Sequence, residues 1–156
     1  LVLAVLYTLR IVAGSAAISV VTSNWLFAFS MSLFLGLAII KRYTELSILQ
    51  TLGKTTAEGR AYSTGHLKFL SVLGAGASLA AVLVFTFYIN APDITRLYST
   101  PAILWLICPL LLYLLGRIWL LAYHGKLNED PVLFAITDRR SQLITLMCGL
   151  MIWIAI

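Results

Sequence analysis

The fold class is decided by one stretch of the sequence, Phe69–Ile89, which reads FLSVLGAGASLAAVLVFTFYI. It contains 21 residues and no charge. As a helix rising about 1.5 Å per residue, it is long enough to cross about 30 Å of hydrocarbon. A strand of a membrane barrel would instead need about ten residues that alternate between apolar and polar. The stretch shows no such alternation, so it predicts a transmembrane helix.

Four further apolar segments accompany this stretch, namely Leu1–Val21, Asn24–Ile40, Ala102–Tyr123 and Ser141–Ile156. The first and third of them are long enough to span a bilayer, and the second is extended by Lys41-Arg42, whose long side chains reach the interface. The last has 16 residues, just under the span of about 17–25. We predict an all-α, polytopic membrane bundle with five transmembrane helices.

The overall composition excludes several classes of protein. Hydrophobic residues make up 61% of the 156 and charged residues 11%, against about 45–50% and about 25% in soluble domains. A soluble globular enzyme, a disordered tail and a nucleic-acid-binding module are excluded despite the net charge of +5. Both cysteines, Cys108 and Cys148, lie in apolar runs, which argues against a disulfide scaffold.

Basic residues are divided unequally between the connecting segments. Segments 41–68 and 124–140 carry five and three Lys or Arg, eight in total, whereas segment 90–101 carries only Arg96. The positive-inside rule then places the two basic segments in the cytoplasm and the C-terminus outside. We expect a multi-pass protein of the cell membrane whose chemistry faces the cytoplasm.

Small residues within Phe69–Ile89 predict where helices touch. Gly74 and Ser78 are four residues apart, as are Gly76 and Ala80. This spacing lets two helix backbones approach closely in lipid. The pattern predicts packing within the bundle and carries no information about a ligand.

Arg10 is the strongest single functional signal, because it lies about halfway along an apolar segment. An arginine at mid-bilayer costs about 2.5–3.5 kcal/mol on insertion scales, so it usually faces a polar interior or a ligand. Tyr7, Arg10 and Gly14 share one helix face, where the cation is placed to meet a phosphate. The alternative is a structural pair with a carboxylate on another helix.

A charged cluster, Lys41-Arg42-Tyr43-Thr44-Glu45-Leu46, begins where the second predicted helix leaves the membrane. Lys41 and Glu45 are four residues apart, so they can pair with each other or share an anionic ligand. A positive-inside stop signal explains Lys41 and Arg42 but leaves Glu45 without a role. Downstream, Gly59–Tyr62 is either a loop that folds back over the site, bringing Tyr62 to it, or a solvated linker.

Two further places in the sequence are candidates for anion binding. Arg117 lies two turns inside the fourth predicted helix, where it either binds a ligand or extends its head to the interface. Asp138-Arg139-Arg140 stands at the start of the last helix and is either an N-cap with an anion-facing first turn or a simple anchor. Metal and nucleophile chemistry has little support, since no His/Cys spacing of a zinc site and no Gly-rich phosphate loop occur.

Taken in chain order, the segments Tyr7–Gly14 and Lys41–Leu46, then Arg117 and Asp138-Arg139, resemble the C-terminal half of the UbiA-type prenyltransferase superfamily. The resemblance is closer to its decaprenyl-phosphate phosphoribosyltransferase branch, in which a Leu-Arg…Ala-Gly helix precedes a Lys-Arg-Tyr-Ala-Glu-Leu motif. It extends to bacterial proteins in which such a domain follows a haloacid-dehalogenase-type phosphatase domain. On this basis residues 1–156 are expected to be the C-terminal part of a UbiA-like domain, cut from a larger protein.

The resemblance implies about nine helices around a cytoplasm-facing cavity that opens sideways to lipid. It also implies an Asn-Asp-x-x-Asp motif that holds Mg²⁺ on a diphosphate; that motif is absent from this sequence and expected upstream of Leu1. The second Asp-rich motif of aromatic prenyltransferases is missing too, and Lys41, Arg42 and Glu45 stand in its region. This departure favours the phosphoribosyl branch.

The reaction implied by that branch joins a polyprenyl phosphate to phosphoribosyl diphosphate and releases diphosphate. The resemblance makes Lys41 and Glu45 catalytic, with Glu45 orienting Lys41 or accepting a ribose hydroxyl. The implied substrate-binding residues are Arg10, Arg42, Tyr62, Arg117, Asp138 and Arg139.

Two alternatives stay open from the sequence. One is a prenyltransferase that moves a polyprenyl group from its diphosphate onto an aromatic or other polar acceptor. The other is a transporter or non-catalytic bundle in which Arg10 is a structural counter-ion.

Overall fold

The computed structural model describes residues 24–51, 66–92, 98–127 and 130–156, together with Val5, Leu6 and Leu9. The elements in these ranges are α1 (Asn24–Thr51), α2 (Leu67–Ile89), a 3₁₀ helix (Pro101–Leu106) that continues into α3 (Ile107–Tyr123), α4 (Pro131–Thr137) and α5 (Arg139–Ala155). The described residues contain no strand, which confirms the all-α prediction for this part of the chain. The predicted helix Leu1–Val21 falls outside it, apart from three residues in helical conformation.

In the described part of the chain, three helical segments are long and apolar enough to cross a membrane: Asn24–Thr51, Leu67–Ile89 and Pro101–Tyr123. They correspond to the second, third and fourth of the five predicted spans. The fifth, α5, has 17 residues, at the short end of what a bilayer requires.

The outer surface of these helices is apolar. In α2, Val72, Leu79 and Leu83 expose 68%, 53% and 60% of their surface, and they follow one another at helical spacing. In α5, Trp153 is 81% exposed. Contiguous apolar surface of this kind marks a membrane or protein contact, so the exterior agrees with a helical protein that resides in lipid.

Helices α1 and α2 make the most extensive contact of the fold, and small residues lie in it as predicted. Gly36 of α1 faces Ser78 of α2, whose Oγ would stand 3.0 Å from a Cβ on Gly36. Gly74 lies against Ile39 and the Trp119 ring of α3. Gly76, at the other predicted small-residue position, is on the exposed side of α2, and a Cβ there meets no described residue within 4 Å. Its predicted role in helix packing stays a prediction, because the predicted helix Leu1–Val21 lies almost wholly outside the described residues.

Helix α1 is longer than its sequence predicts. The apolar segment ends at Ile40, yet the helix continues for eleven residues to Thr51. The reason is tertiary packing, because Tyr43 and Leu46 are buried in a hydrophobic cluster with Leu70 and Ile118. The charged cluster at residues 41–46 is therefore helical and packed, whereas the sequence placed it in a connecting segment.

The two ends of the fold differ in chemistry. At one end Ser99 Oγ donates to the carbonyl of Ile156 at 2.8 Å, and the amide of Thr100 donates to the carbonyl of Ala155. At the other end Lys41, just after Ile40, pairs with Asp130, which follows the end of the helix at Tyr123. The charge-poor connection and the C-terminus thus meet at one end, as the loop charges predict, and the orientation in the membrane stays a prediction.

Candidate functional site

The site begins with an ion pair between distant parts of the chain. Lys41 Nζ, on the extended part of α1, donates to Asp130 Oδ2. The two residues are 89 positions apart, and both side chains are about one-third exposed, at 36% and 35%. Lys41 therefore pairs with Asp130 and not with Glu45 one turn further on. The interpretation of Lys41 and Glu45 as a mutual pair is wrong.

Asp130 occupies this position because it begins a helix. Its side chain accepts the amide of Val132 at 3.1 Å and so caps α4, with Pro131 as the first helical residue. Aspartate at the N-cap followed by proline is a favourable start, since the cap satisfies a free amide and proline needs none. One carboxylate thus holds both the start of α4 and the cation of α1.

A second aspartate stands at the opposite end of α4. Asp138 ends α4 and caps α5, where it accepts the Ser141 amide at 2.9 Å and the Ser141 hydroxyl at 3.0 Å. The N-cap prediction for Asp138 is confirmed. Arg117 of α3 donates two hydrogen bonds to the same carboxylate, from Nη1 to Oδ2 and from Nη2 to Oδ1, the latter at 3.1 Å.

Further contacts enclose the Arg117–Asp138 pair. Arg117 Nη1 also reaches Ser141 Oγ at 3.3 Å, and Ser141 is fully buried. The guanidinium lies over the Phe134 ring, with its central carbon 5.7 Å from the ring centroid. Each member of the pair is only 20% exposed. Arg117 therefore has its charge neutralised within the bundle, which differs from an arginine extending to the interface.

Arg42 and Glu45 form a local pair on α1. Arg42 Nη1 donates to Glu45 Oε2 at 2.7 Å, three residues along the helix, and the two side chains are 32% and 30% exposed. An exposed pair of this type contributes a few tenths of a kcal/mol to the helix. Arg42 and Glu45 follow Lys41 closely in the sequence, so this part of α1 carries one further cation and one carboxylate.

Below the ion pairs lies an apolar cavity of about 850 Å³ between α1, α3, α4 and α5. Its lining includes Leu37, Leu114, Ile118, Val132, Ala135 and Leu146. Only Gln142 and Thr145 add polar side-chain groups, apart from the indole of Trp153. The cavity follows α5 from Gln142 to Trp153, about 16 Å at the helical rise, a shape that suits an apolar chain.

The ion pairs stand at one end of this cavity. Lys41 is one turn beyond Leu37, Asp130 precedes Pro131, and Arg117 precedes Ile118. The seven-residue helix α4 separates the two aspartates by about 10 Å. The structure thus combines an apolar cavity with a charged rim, the arrangement expected to receive an apolar molecule with a polar head.

Of the residues predicted for the site, the structure brings Lys41, Arg117 and Asp138 to this rim. Arg139 begins α5 and is exposed, and it forms no ion pair with another residue in the described part of the chain. Arg10 and Tyr62 lie outside the described residues, so their assignments stay predictions.

The sequence analysis missed Asp130 and Ser141. Asp130-Pro131 is a helix-start signal, and on that ground α4 was predictable. Its pairing with Lys41 was not, because nothing local connects positions 41 and 130. Ser141 looks like an ordinary helix residue, and only the fold places it between Arg117 and Asp138.

Both aspartates are held in the ionised form. Burial raises the pKa of Asp130, but hydrogen bonds from Lys41 and from the Val132 amide outweigh it and bring the pKa below its ordinary value. For Asp138, the hydrogen bonds from Arg117 hold the pKa well below the ordinary range, with burial opposing them and Ser141 assisting. Both carboxylates therefore carry a negative charge at neutral pH.

The described residues do not fit the magnesium ion that the family resemblance implies. Mg²⁺ is bound through carboxylates, and in these ranges no three His, Cys, Asp or Glu side chains group together. Glu45, Asp130 and Asp138 each belong to a separate ion pair. No step of the chemistry is therefore assigned to a metal held by these residues.

The chain is similar to two rhizobial proteins. It is 39% identical over 145 residues to an uncharacterized protein, y4nM, of Sinorhizobium fredii (strain NBRC 101917 / NGR234), a match that covers 92% of this chain and 28% of that protein. It is 29% identical over 140 residues to nodulation protein NoeC of Azorhizobium caulinodans, covering 90% of this chain and 46% of that protein. The chain therefore spans less than half the length of either relative. No protein-family model and no solved structure matches it.

Proposed function

We propose that the protein containing this chain is an integral membrane transferase that acts on a polyprenyl phosphate. One observation carries the proposal: an apolar cavity of about 850 Å³ ends at a rim that contains Lys41 and Arg117. Ligand cavities of this size are ordinary for small molecules. A polyprenyl phosphate has the matching division into an apolar chain and a phosphate, which lysine and arginine bind well.

The proposed reaction is the transfer of a phosphoribosyl group from phosphoribosyl diphosphate to the lipid. An oxygen of the polyprenyl phosphate forms a bond to ribose C1, and the bond from C1 to the diphosphate oxygen breaks. The diphosphate leaves with the bonding electron pair, so negative charge accumulates on it. Cations placed at that position lower the barrier because they bind the developing charge more strongly than the ground state.

Lys41 and Glu45 are the proposed catalytic residues. The ammonium of Lys41 has three donors suited to phosphate oxygens, one of which binds Asp130 in this structure. Glu45 forms an ion pair with Arg42, and in the proposed complex it accepts a hydrogen bond from a ribose hydroxyl. Arg10, Arg42, Tyr62 and Arg139 are the further substrate ligands that the family resemblance implies, and Arg117 and Asp138 form the rest of the rim. Mg²⁺ belongs to the same proposal, held by residues outside this sequence.

The proposed location is the plasma membrane of a bacterium, in a multi-pass arrangement. Three helical segments with the length and composition of membrane spans support it, as does the bacterial origin of both relatives. One relative is named a nodulation protein, and we propose that the lipid product is used in nodulation.

A non-catalytic helical bundle is the second candidate. It is favoured by the three ion pairs of the site region, in which each cation already has a carboxylate partner from the same chain. In such a protein the pairs would hold α1, α3, α4 and α5 together and bind no ligand.

The deciding experiment measures transfer by the full-length natural protein that contains this chain. Membranes with the protein receive labelled phosphoribosyl diphosphate, Mg²⁺ and a polyprenyl phosphate, and the label in the lipid extract is followed over time. We expect Lys41→Gln to lower turnover roughly 30- to 1000-fold, which corresponds to about 2–4 kcal/mol of lost charge stabilisation in the transition state.

Lys126→Gln is the matched control. Lys126 is an exposed lysine near the same end of the fold, and no described residue forms an ion pair with it. The control removes the same charge and is expected to keep wild-type turnover. Well-folded wild-type protein without transfer would contradict the enzyme proposal. Transfer of the prenyl group itself, from a polyprenyl diphosphate to an added aromatic acceptor, would replace the phosphoribosyl reaction by prenyl transfer.

A further inference from the structure

The two ion pairs at the rim of the cavity differ in how easily they exchange partners. Asp138 accepts two bonds from Arg117 and two from Ser141, and the pair is 20% exposed on both sides. Asp130 receives a single bond from Lys41, and both groups are about one-third exposed. Among the described residues, the Asp130 side chain otherwise accepts a hydrogen bond from the amide of Val132 in its own helix.

This difference has an energetic consequence. A partly exposed pair with one contact contributes little to stability, because water competes with it. A buried bidentate pair with further hydrogen bonds is costly to separate, since each charge would be left without a partner. An anion that arrives at the rim therefore displaces Asp130 from Lys41 far more readily than it displaces Asp138 from Arg117.

We propose that Lys41 is the anion-binding group of the cavity and that Asp130 is its counter-ion in the absence of ligand. The phosphate of a single-chain lipid displaces Asp130 from Lys41. Arg117 is a positioning residue. This inference rests on the proposed function and assigns the headgroup contact within it. When the cavity is empty, Asp130 neutralises a cation that would otherwise stand beside apolar surface. When the lipid is bound, Asp130 remains the cap of α4 through Val132.

The position of Lys41 selects the kind of ligand. Leu37 lies one turn before it and lines the cavity, and Pro131, next to Asp130, lines the opposite wall. A phosphate on Lys41 therefore has its attached chain directed along the apolar walls toward Trp153. Free phosphate would gain the contact with Lys41 but leave those walls unfilled.

Arg117 acts through another group. Its two bonds fix Asp138, which caps α5 and ends α4. Gln142 supports the same junction by donating from Nε2 to the carbonyl of Ile136 at 2.5 Å. The guanidinium thereby sets the angle between α4 and α5, two walls of the cavity, and its charge is already balanced.

The test uses isothermal titration calorimetry to measure ligand binding to the full-length natural protein that contains this chain, purified in a neutral maltoside detergent. The probes are dodecyl phosphate, dodecanol with the same tail and no charge, and inorganic phosphate with no tail. Asp130→Asn keeps the N-cap, since asparagine caps as well as aspartate, and removes the competing charge. We expect this variant to bind dodecyl phosphate about two- to fivefold more tightly than wild type, with dodecanol binding unchanged.

Two further variants complete the expected pattern. Lys41→Gln should reduce dodecyl phosphate binding to the level of dodecanol. The double variant Arg117→Gln/Asp138→Asn removes the second pair as a unit without changing the net charge and retains the cap. It should weaken the binding of dodecyl phosphate and of dodecanol by the same factor, because it alters the angle between two cavity walls and leaves the phosphate contact with Lys41 in place.

Several results would overturn the assignment. Weaker binding of dodecyl phosphate to Asp130→Asn would mean that the carboxylate positions Lys41 and does not compete with the ligand. A loss of dodecyl phosphate binding in the folded double variant, with dodecanol binding unchanged, would make Arg117 a phosphate ligand. If inorganic phosphate bound as tightly as dodecyl phosphate, the apolar cavity would contribute nothing to ligand binding.

The outcome is separable from that of the proposed function. Binding with the expected pattern, in a full-length protein that transfers no phosphoribosyl group, would leave the Lys41–Asp130 exchange in place and refute the transferase. Active protein in which Asp130→Asn leaves dodecyl phosphate affinity unchanged would refute the exchange alone.

Discussion

Gly74→Ala tests the packing that holds the bundle together. A Cβ at Gly74 would stand 2.2 Å from Cζ2 of Trp119 and 2.7 Å from Cγ2 of Ile39, both far inside van der Waals contact. The indole has little freedom to move, because its Nε1 donates to Ser78 Oγ at 3.1 Å and its ring meets Tyr43 edge-on. The substitution must therefore displace α2 or the indole.

The magnitude follows from two opposing effects. Alanine is favoured over glycine in a helix interior by about 1 kcal/mol, whereas overpacking of a well-filled site costs about 1–3 kcal/mol or more. With three atom contacts below 3.0 Å, two of them to the Trp119 ring, we place the cost in the upper part of that range. Gly74→Ala should lower the free energy of unfolding by roughly 1–2 kcal/mol.

Gly76→Ala is the matched control, two residues further along the same helix. A Cβ there meets no described residue within 4 Å, so the change acts through helix propensity, and stability should rise by up to about 1 kcal/mol. The assay is reversible unfolding of both variants by SDS in mixed detergent micelles, followed by far-ultraviolet circular dichroism. The difference of about 2–3 kcal/mol between the variants isolates the contact.

The reasoning would be refuted if Gly74→Ala were as stable as Gly76→Ala. Replacing Trp119 by phenylalanine in the Gly74→Ala background removes the ring atoms in question. The double variant should therefore lose less stability than the sum of the two single changes, a coupling that is characteristic of residues in contact.

Three further predictions follow from the charged groups. The pKa of Asp138 lies below its ordinary value, so its pairing stabilises the fold above about pH 4, and this stabilisation is lost as the pH falls further. Asp138→Asn should lower the free energy of unfolding by about 2–3 kcal/mol at pH 7 and flatten the decline in melting temperature between pH 5 and pH 2. An unchanged decline would contradict the assignment. Cysteines at Thr56 and Asn128 should react with an impermeant thiol reagent only after the membrane is opened, and labelling in intact cells would reverse the orientation. Arg10→Lys keeps the positive charge but loses the two parallel N–H donors of the guanidinium, so it should lower turnover of the full-length protein with little change in the yield of folded protein. A lower yield of folded protein, with normal turnover per folded molecule, would make Arg10 a structural counter-ion.

Much of the fold was predictable because hydrophobicity is a local property. The segment Phe69–Ile89 has one clear solution in a bilayer, where all backbone groups must be bonded within the segment, and the structure places a helix at Leu67–Ile89. The end of the fourth helix at Tyr123 and the cap at Asp138 were equally local signals. In each case the residues that decide the structure are neighbours in sequence.

The end of α1 was not predictable in the same way. A charged cluster after an apolar segment such as Asn24–Ile40 ordinarily marks the membrane boundary, so the sequence predicted that the helix ends at Ile40. Burial of Tyr43 and Leu46 against α2 and α3 stabilises eleven further residues as helix. That contribution depends on neighbouring helices and leaves no mark in the local pattern.

For the site, the sequence by itself determined which residue types are available. It pointed to Lys41, Arg117 and Asp138 because charges are rare in an apolar chain and each needs a reason to be there. The tertiary structure alone decided how they pair: Lys41 with Asp130, and Arg117 with Asp138. Pairing is decided by distance in space, and α4 brings the two aspartates to cations that are 89 and 21 positions away.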